Sequence, residues 1–373
     1  MLTITIVVAV VLLAFANGAN DNFKGVATLY GSGTTSYRRA LAWATATTFA
    51  GSVVALWLAG SLLARFSGKG LVSDATVADP RFAATVALAA GATVLLATRL
   101  GFPVSTTHAL VGAMTGAAFA SASELSVATL ATMFVAPLLV SPVVAIVASS
   151  SMYPILRTIR CRLGIESRSC VCVGTEFVAV PLATQSAATV VAVSVPATPT
   201  VSVNVGDAAS CRQRYHGCVL GIEAAPTLDV LHFLSAGLVS FARGLNDTPK
   251  IAAVLLLVPS IGASGSMFLC GMLIAIGGIV AARRVAESMS HRITSMNPGQ
   301  GFTANLLTGV LVIVASRWGL PVSTTHVSCG SLFGIGLVNG QAHWRFIFQV
   351  LLAWLTTLPL AAAIAWLIFN NAF

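Results

Sequence analysis

The sequence predicts an all-α polytopic membrane protein made of an inverted repeat, and three observations carry that expectation. Apolar residues are 57% of the 373 and charged residues 8%, with a mean hydropathy of +0.90, whereas a soluble domain carries roughly 25% charged residues. Residues 97–116 return 218 residues later as 315–334, with 11 of 20 positions identical. A second polar island, FANGANDNFK at 15–24, answers to FARGLNDTPK at 241–250, with Asn-Asp and Lys in register.

Eight apolar stretches, near 2–30, 37–65, 81–120, 126–156, 228–258, 260–282, 301–338 and 346–369, meet or exceed the roughly 20 residues that a spanning helix needs. The first could be mistaken for a signal peptide, because Ala14-Phe15-Ala16 looks like a small-residue cleavage site. It lacks a basic leader and the supposed cleavage site is half of a repeat, so it is expected to be the first membrane segment.

Basic residues set the sidedness. Arg38 and Arg39 follow the first stretch, Arg157, Arg160, Arg162 and Arg168 the fourth, and Arg283, Arg284 and Arg292 the sixth. Placing these clusters in the cytoplasm puts the amino and carboxyl termini outside a plasma (inner) membrane. The net charge of +9 then needs no nucleic-acid partner. This orientation requires 81–120 to be a re-entrant hairpin from the outer face with its tip at Gly101-Phe102-Pro103, and 301–338 to be one from the cytoplasm with its tip at Gly319-Leu320-Pro321. Each half then has three spanning helices plus one re-entrant hairpin, an odd number, so the halves are inverted and the tips approach the midplane. The expected organisation is a first membrane repeat at 1–160, a cytoplasmic insert at 161–227 and a second, inverted repeat at 228–373.

The insert differs in composition. Residues 191–205 alternate small apolar and polar side chains with two prolines, which suits strands or an extended linker. Cys170, Cys172, Cys211 and Cys218 lack the spacing of a standard zinc module, and reduced cytosolic thiols are the expectation.

At each tip, Gly-Phe/Leu-Pro should end one half-helix and proline should open the next at its first turn. Ser105, Thr106 and Thr107, and Ser323, Thr324 and Thr325, would then occupy a helix N-terminus, where free N–H groups, the macrodipole and hydroxyl donors converge on an anion. A single Ser/Thr after proline is often just a cap. Two copies of PVSTTH inside hydrocarbon point instead to a doubled anion site, because buried polar groups there are costly.

Asn20-Asp21 and Asn246-Asp247, each after a glycine (Gly18, Gly244), should unwind the first and fifth stretches into broken helices. Their oxygens suit a hard cation such as sodium held at Asp21 and Asp247, or the aspartates could carry a proton. Lys24 and Lys250, three residues on, either neutralise the aspartates or also contact the anion. His108 and His326 either brace the loop by a fixed hydrogen bond or carry protons. Arg99 and Arg317, before each tip, either draw anions inward or pin the hairpin, and Arg243 has Asn17 as its counterpart. Duplicated irregular polar segments at membrane depth mark a transporter's substrate site.

The motifs GAND at 18–21, GLNDTPK at 244–250, the two PVSTTH segments and NPGQGF at 297–302 together resemble the inorganic phosphate transporter (PiT) family. The resemblance covers both membrane halves. It implies a sodium- or proton-coupled phosphate symporter, a homodimer whose transport domain of hairpins and broken helices moves against a scaffold. After GAND the family commonly continues with small residues, whereas Asn22, Phe23 and Lys24 follow here. The expected function is cation-coupled symport of inorganic phosphate by alternating access, with no cofactor beyond the coupling ion and no catalytic residue. A sulfate permease of the same family is the alternative. An anion channel would need no carboxylate at the site. A hydrolase built on Ser105 and His108 would not duplicate the pair at two sites.

Overall fold

The computed structural model describes residues 2–175, 201–207, 209, 220–258 and 260–372. They form two compact units, one comprising Met1–Pro154 with His232–Phe373 and the other Ile155–Leu231. The first unit is helical. Its first half runs α1 (Leu2–Asp21), α2 (Ala27–Gly31), α3 (Tyr37–Leu58), α4 (Gly60–Arg65), α5 (Asp74–Ala78), α6 (Pro80–Leu100), α7 (Thr106–Ala120) and α8 (Val127–Arg162). Its second half runs α9 (Ala224–Leu257), α10 (Gly262–Ala281), α11 (Arg283–His291), α12 (Pro298–Arg317), α13 (Thr324–Asn339) and α14 (Trp344–Ala372). Among the described residues eight helices are long and apolar enough to cross a membrane: α1, α3, α6, α8, α9, α10, α12 and α14.

Helix ends follow from local sequence. Asp79 caps α6, its carboxylate accepting from the Arg81 amide at 2.8 Å with Pro80 in the first turn, where the missing N–H costs nothing. Gly101 ends α6 at φ 77°, a conformation that suits a residue without Cβ. The Phe102 amide then reaches the Ala97 carbonyl at 3.0 Å and the Gly101 amide reaches Thr98 at 3.1 Å, the paired bonds of a Schellman motif. Gly319 at φ 67° repeats this on α12 with Leu320 and Ala315 at 2.8 Å.

Where each returning helix begins differs from expectation. Thr106 and Thr324, not the prolines, open α7 and α13, with Ser105 and Ser323 as extended N-caps. Serine is a strong N-cap whose hydroxyl takes up an orphan amide, and that places the cap two residues beyond proline and the first helical residue three beyond it. The backbone of Gly101 lies against Arg284 and Ser288 of α11, and that of Gly319 against Ser61 and Arg65 of α4. At about 1.5 Å per residue, α6 with its 21 residues is about 31 Å long, enough to cross the hydrocarbon core.

The expected unwinding is seen after Asp21, where residues 22–26 form turns before α2. It is not seen at Asn246-Asp247: the helix runs unbroken through Pro249 to Ala252 and tightens to 3-10 geometry over Ala253–Leu257. Gly18 and Gly244 serve packing instead. A Cβ on Gly18 would fall 2.0 Å from the Ile274 carbonyl oxygen of α10, and one on Gly244 would fall 2.0 Å from that of Thr48 in α3.

The second unit contains a three-stranded antiparallel sheet in the order β2-β1-β3, formed by β1 (Ser169–Thr175), β2 (Val201–Asp207) and β3 (Leu220–Glu223). Of the stretch expected to be extended, 201–205 lies in β2, while 191–200 lies outside the described residues, as do Cys211 and Cys218. Cys170 and Cys172, two apart on one strand, share its buried face. Cys172 is disulfide-bonded and Cys170 is a free thiol, which corrects the expectation of reduced thiols throughout. A strand that aims both sulfurs into packing leaves no open C-x-C loop for a metal, and among the described residues no cluster of metal-ligating side chains occurs.

Candidate substrate site

The C-terminal end of α1, the middle of α9 and the starts of α7 and α13 converge on one buried polar cluster. Asn17, Asn20, Asp21 and Lys24 meet Arg243, Asn246, Asp247 and Lys250, together with Ser105–Thr107 and Ser323–Thr325, and none of these residues is more than 5% exposed. Burying five ionisable groups at membrane depth is costly unless each is paired, so the pairing shows how the site is built.

The asparagines clamp the tips. Asn20 Nδ2 donates to the Thr98 hydroxyl at 2.9 Å and the Phe102 carbonyl at 3.0 Å, while its Oδ1 accepts from the Val104 amide at 3.2 Å. Asn246 does the same for the other hairpin, donating to the Val322 carbonyl at 3.2 Å and accepting from Ser316 at 3.1 Å. Each asparagine therefore holds the hairpin of its own half.

The lysines cross between hairpins. Lys24 Nζ donates to Asp21 Oδ1, to Asn20 Oδ1 at 2.8 Å, to the Val104 carbonyl at 2.8 Å and to the Thr325 hydroxyl at 2.6 Å. Lys250 Nζ donates to Asp247 Oδ1 at 3.4 Å, to the Val322 carbonyl at 2.8 Å and to the Thr107 hydroxyl at 2.9 Å.

The other carboxylate oxygens face the helix starts. Asp21 Oδ2 accepts from the Thr106 hydroxyl at 3.3 Å and from Asn17 Nδ2 at 3.1 Å; Asp247 Oδ2 accepts from Thr324 at 3.5 Å and from the same Asn17 nitrogen at 3.5 Å. Asn17 Nδ2 also reaches Thr106 Oγ1 at 2.9 Å. The two aspartates are thus linked through one amide. Ser105 and Ser323 spend their hydroxyls on capping the amides of His108 (3.1 Å) and His326 (3.2 Å). The N–H groups of Thr106 and Thr107, and of Thr324 and Thr325, precede the first intrahelical bond.

The histidines contact backbone carbonyls of other helices. His326 Nδ1 contacts the Leu138 carbonyl at 3.2 Å, a group left without its helical donor because Pro142, four residues on, has no N–H. His108 Nδ1 contacts the Trp354 carbonyl at 3.2 Å, and Trp354 Nε1 donates to the Pro103 carbonyl at 3.0 Å. The two imidazoles meet edge to face with centroids 4.5 Å apart. This geometry ties each helix start to α8 or α14. Arg99 and Arg317 lie on the exposed surface, outside the cluster.

Sequence reasoning left Arg243 without a role, and Asn17 entered it only as that residue's counterpart. Arg243 is 1% exposed. Its guanidinium donates to Asn17 Oδ1 at 2.8 Å, Asn22 Oδ1 at 3.2 Å and Thr48 Oγ1 at 3.3 Å, and its Nε lies 3.8 Å from Asp247 Oδ2. The signal was the mismatch itself, a buried arginine facing an asparagine in an otherwise matched repeat. In formal charges, Lys24, Lys250 and Arg243 against Asp21 and Asp247 leave the cluster with an excess of one positive charge, which favours an anion.

Known proteins place this architecture. The chain is 26% identical over 394 residues to a Pyrococcus abyssi protein with the provisional name phosphate permease, covering 96% of this chain and 95% of that one. It is 35% identical over 158 residues, 39% of this chain and 47% of the other, to a Rhizobium meliloti protein provisionally named a low-affinity inorganic phosphate transporter. A solved structure described as the sodium-dependent phosphate transporter shares the fold, with a TM-score of 0.74, 21% identity and coverage of 100% of this chain and 98% of that one. Residues 17–365 match the Phosphate transporter family, which takes in the whole buried cluster, and the chain belongs to that family of multi-pass membrane transporters rather than to any enzyme family.

Proposed function

We propose that the protein carries inorganic phosphate across the plasma membrane as a cation-coupled symporter working by alternating access. One observation carries the reading: two Ser-Thr-Thr helix starts and two aspartates from opposite halves are joined in one buried cluster through Asn17 and the hydroxyls of Thr106 and Thr324. The threonine hydroxyls and helix-start amides would bind the phosphate oxygens. The excess positive charge that Arg243 provides balances a monoanion, and a dianion would require one further cation. Asp21 Oδ2 and Asp247 Oδ2 are the oxygens that would hold it, as sodium or as a proton. Sodium is supported by the description of the solved structure with the same fold.

The matched halves support an inverted repeat with re-entrant hairpins, a design in which one half rocks against the other around a central site. Family resemblance supports a homodimer. The positive-inside count puts 161–227 in the cytoplasm and both termini outside. The test of that sidedness is labelling with an impermeant thiol reagent.

The test of function is uptake of labelled phosphate and sulfate into proteoliposomes under separately imposed sodium and proton gradients. Concentrative phosphate uptake under one of them supports the reading. Uptake of sulfate alone would reassign the substrate, and phosphate that only equilibrates under every gradient would make the protein a channel.

A further inference from the structure

We propose that the ammonium groups of Lys24 and Lys250 are tethered cations seated in two oxygen cages of the kind a free coupling ion would occupy, each lysine thereby removing one ion from the transport stoichiometry. The inference rests on the phosphate symport reading above. A buried ammonium whose only partner was an aspartate would leave N–H donors unsatisfied. Lys24 Nζ instead meets four oxygens, all hard donors: a carboxylate, an amide oxygen, the Val104 carbonyl and the Thr325 hydroxyl. The carbonyl belongs to the extended link between two helices, the kind of unwound backbone that coordinates sodium in transporters built on broken helices.

The second cage repeats the first by exchange of halves. Lys250 Nζ takes the Val322 carbonyl, from the link of its own half's hairpin, and the Thr107 hydroxyl, from the opposite hairpin, beside Asp247. A lysine ammonium is a compact point charge with three donors, so it substitutes for a small cation in charge and in preference for oxygen. With both Oδ1 atoms engaged by lysine, the cluster offers a free ion only the side where Asp21 Oδ2 and Asp247 Oδ2 approach the one Asn17 amide. Because both oxygens accept from that one amide, they mark one position rather than two. A tethered charge also stays behind when substrate leaves, so it balances phosphate without contributing driving force.

The test measures labelled sodium and labelled phosphate fluxes together in proteoliposomes. Wild-type protein is expected to move none or one sodium ion per phosphate. Lys24→Ser and Lys250→Ser, each opening one cage and supplying a hydroxyl, are expected to raise that ratio by one and to make the sodium dependence of uptake steeper. Lys24→Met, which fills the cage without charge, is expected to lose uptake with no rescue by sodium. A wild-type ratio of two or more overturns the proposal whatever the variants do, as does a serine variant that binds phosphate with an unchanged ratio or loses uptake at every sodium concentration. Wild-type protein that moves no phosphate under any gradient overturns the symport reading instead.

Discussion

Lys24 donates to the hydroxyl of Thr325, 301 residues away, at 2.6 Å. The bond joins the break after α1 to the start of α13, and its counterpart from Lys250 to Thr107 at 2.9 Å runs the opposite way. Each half therefore contributes a lysine to the other half's hairpin. The lysine that reaches each hairpin is paired to the carboxylate of the opposite half.

The anion site is tested at the threonines. Thr106 and Thr324 present hydroxyls to the carboxylates and begin the two returning helices. Thr106→Ala combined with Thr324→Ala should raise the phosphate half-saturation constant at least tenfold, about 1.4 kcal/mol. The protein should still fold, because Ser105 and Ser323 remain as caps. Uptake kinetics in proteoliposomes check this, and unchanged affinity would remove the helix starts from the site.

Coupling is tested at the carboxylates. Asp21→Asn and Asp247→Asn should each abolish accumulation of phosphate against its gradient, with any residual binding no longer dependent on the driving cation. Each variant also leaves a buried lysine short of its carboxylate, and breaking a buried pair typically costs about 3–5 kcal/mol, so melting temperature should fall as well. Normal cation dependence in either variant would make that aspartate structural only.

Arg243 bridges three oxygens of α1, the turn after it and α3 with a planar fork. Lysine, a point charge, cannot span them. Arg243→Lys should lower phosphate uptake at least tenfold despite keeping the charge. Uptake within twofold of wild type would show that charge alone matters there.

Sidedness is read with an impermeant thiol reagent. Ser73 and Ser295 are both exposed. In a background with Cys161, an exposed free thiol, changed to serine, Ser73→Cys should react from outside and Ser295→Cys should not. Equal labelling of both from outside would refute the inverted topology, and native Cys161 labelled from outside would reverse the placement of the insert.

Much of this molecule was legible in one dimension. The bilayer requires about 20 apolar residues per span, so the eight stretches could be read directly from composition, and each overlaps one of the eight helices of spanning length among the described residues. Gly101 and Gly319 marked a helix stop because left-handed backbone is a property of single residues, whereas the helix start fell to the caps Ser105 and Ser323 and not to the prolines the sequence suggested. Duplication brought the four polar segments to attention as one site, since repetition is visible without coordinates.

What only the tertiary structure decided is which polar group answers which. The helix around Asn246-Asp247 stays intact through Pro249. The packing of Gly244 against Thr48 was invisible to a local rule that equates glycine and asparagine with unwinding. His326 finds the Leu138 carbonyl because Pro142, four residues on in that other helix, cannot supply the helical amide, a relation spanning 188 residues. Arg243 enters the site through oxygens from three separated segments, and the lysines cross between halves. Sequence determines which groups must be buried and therefore satisfied, since hydrocarbon supplies no hydrogen bonds. Their partners depend on which helices pack together, and that is set by the close fit of many side chains at once rather than by the spacing of any few.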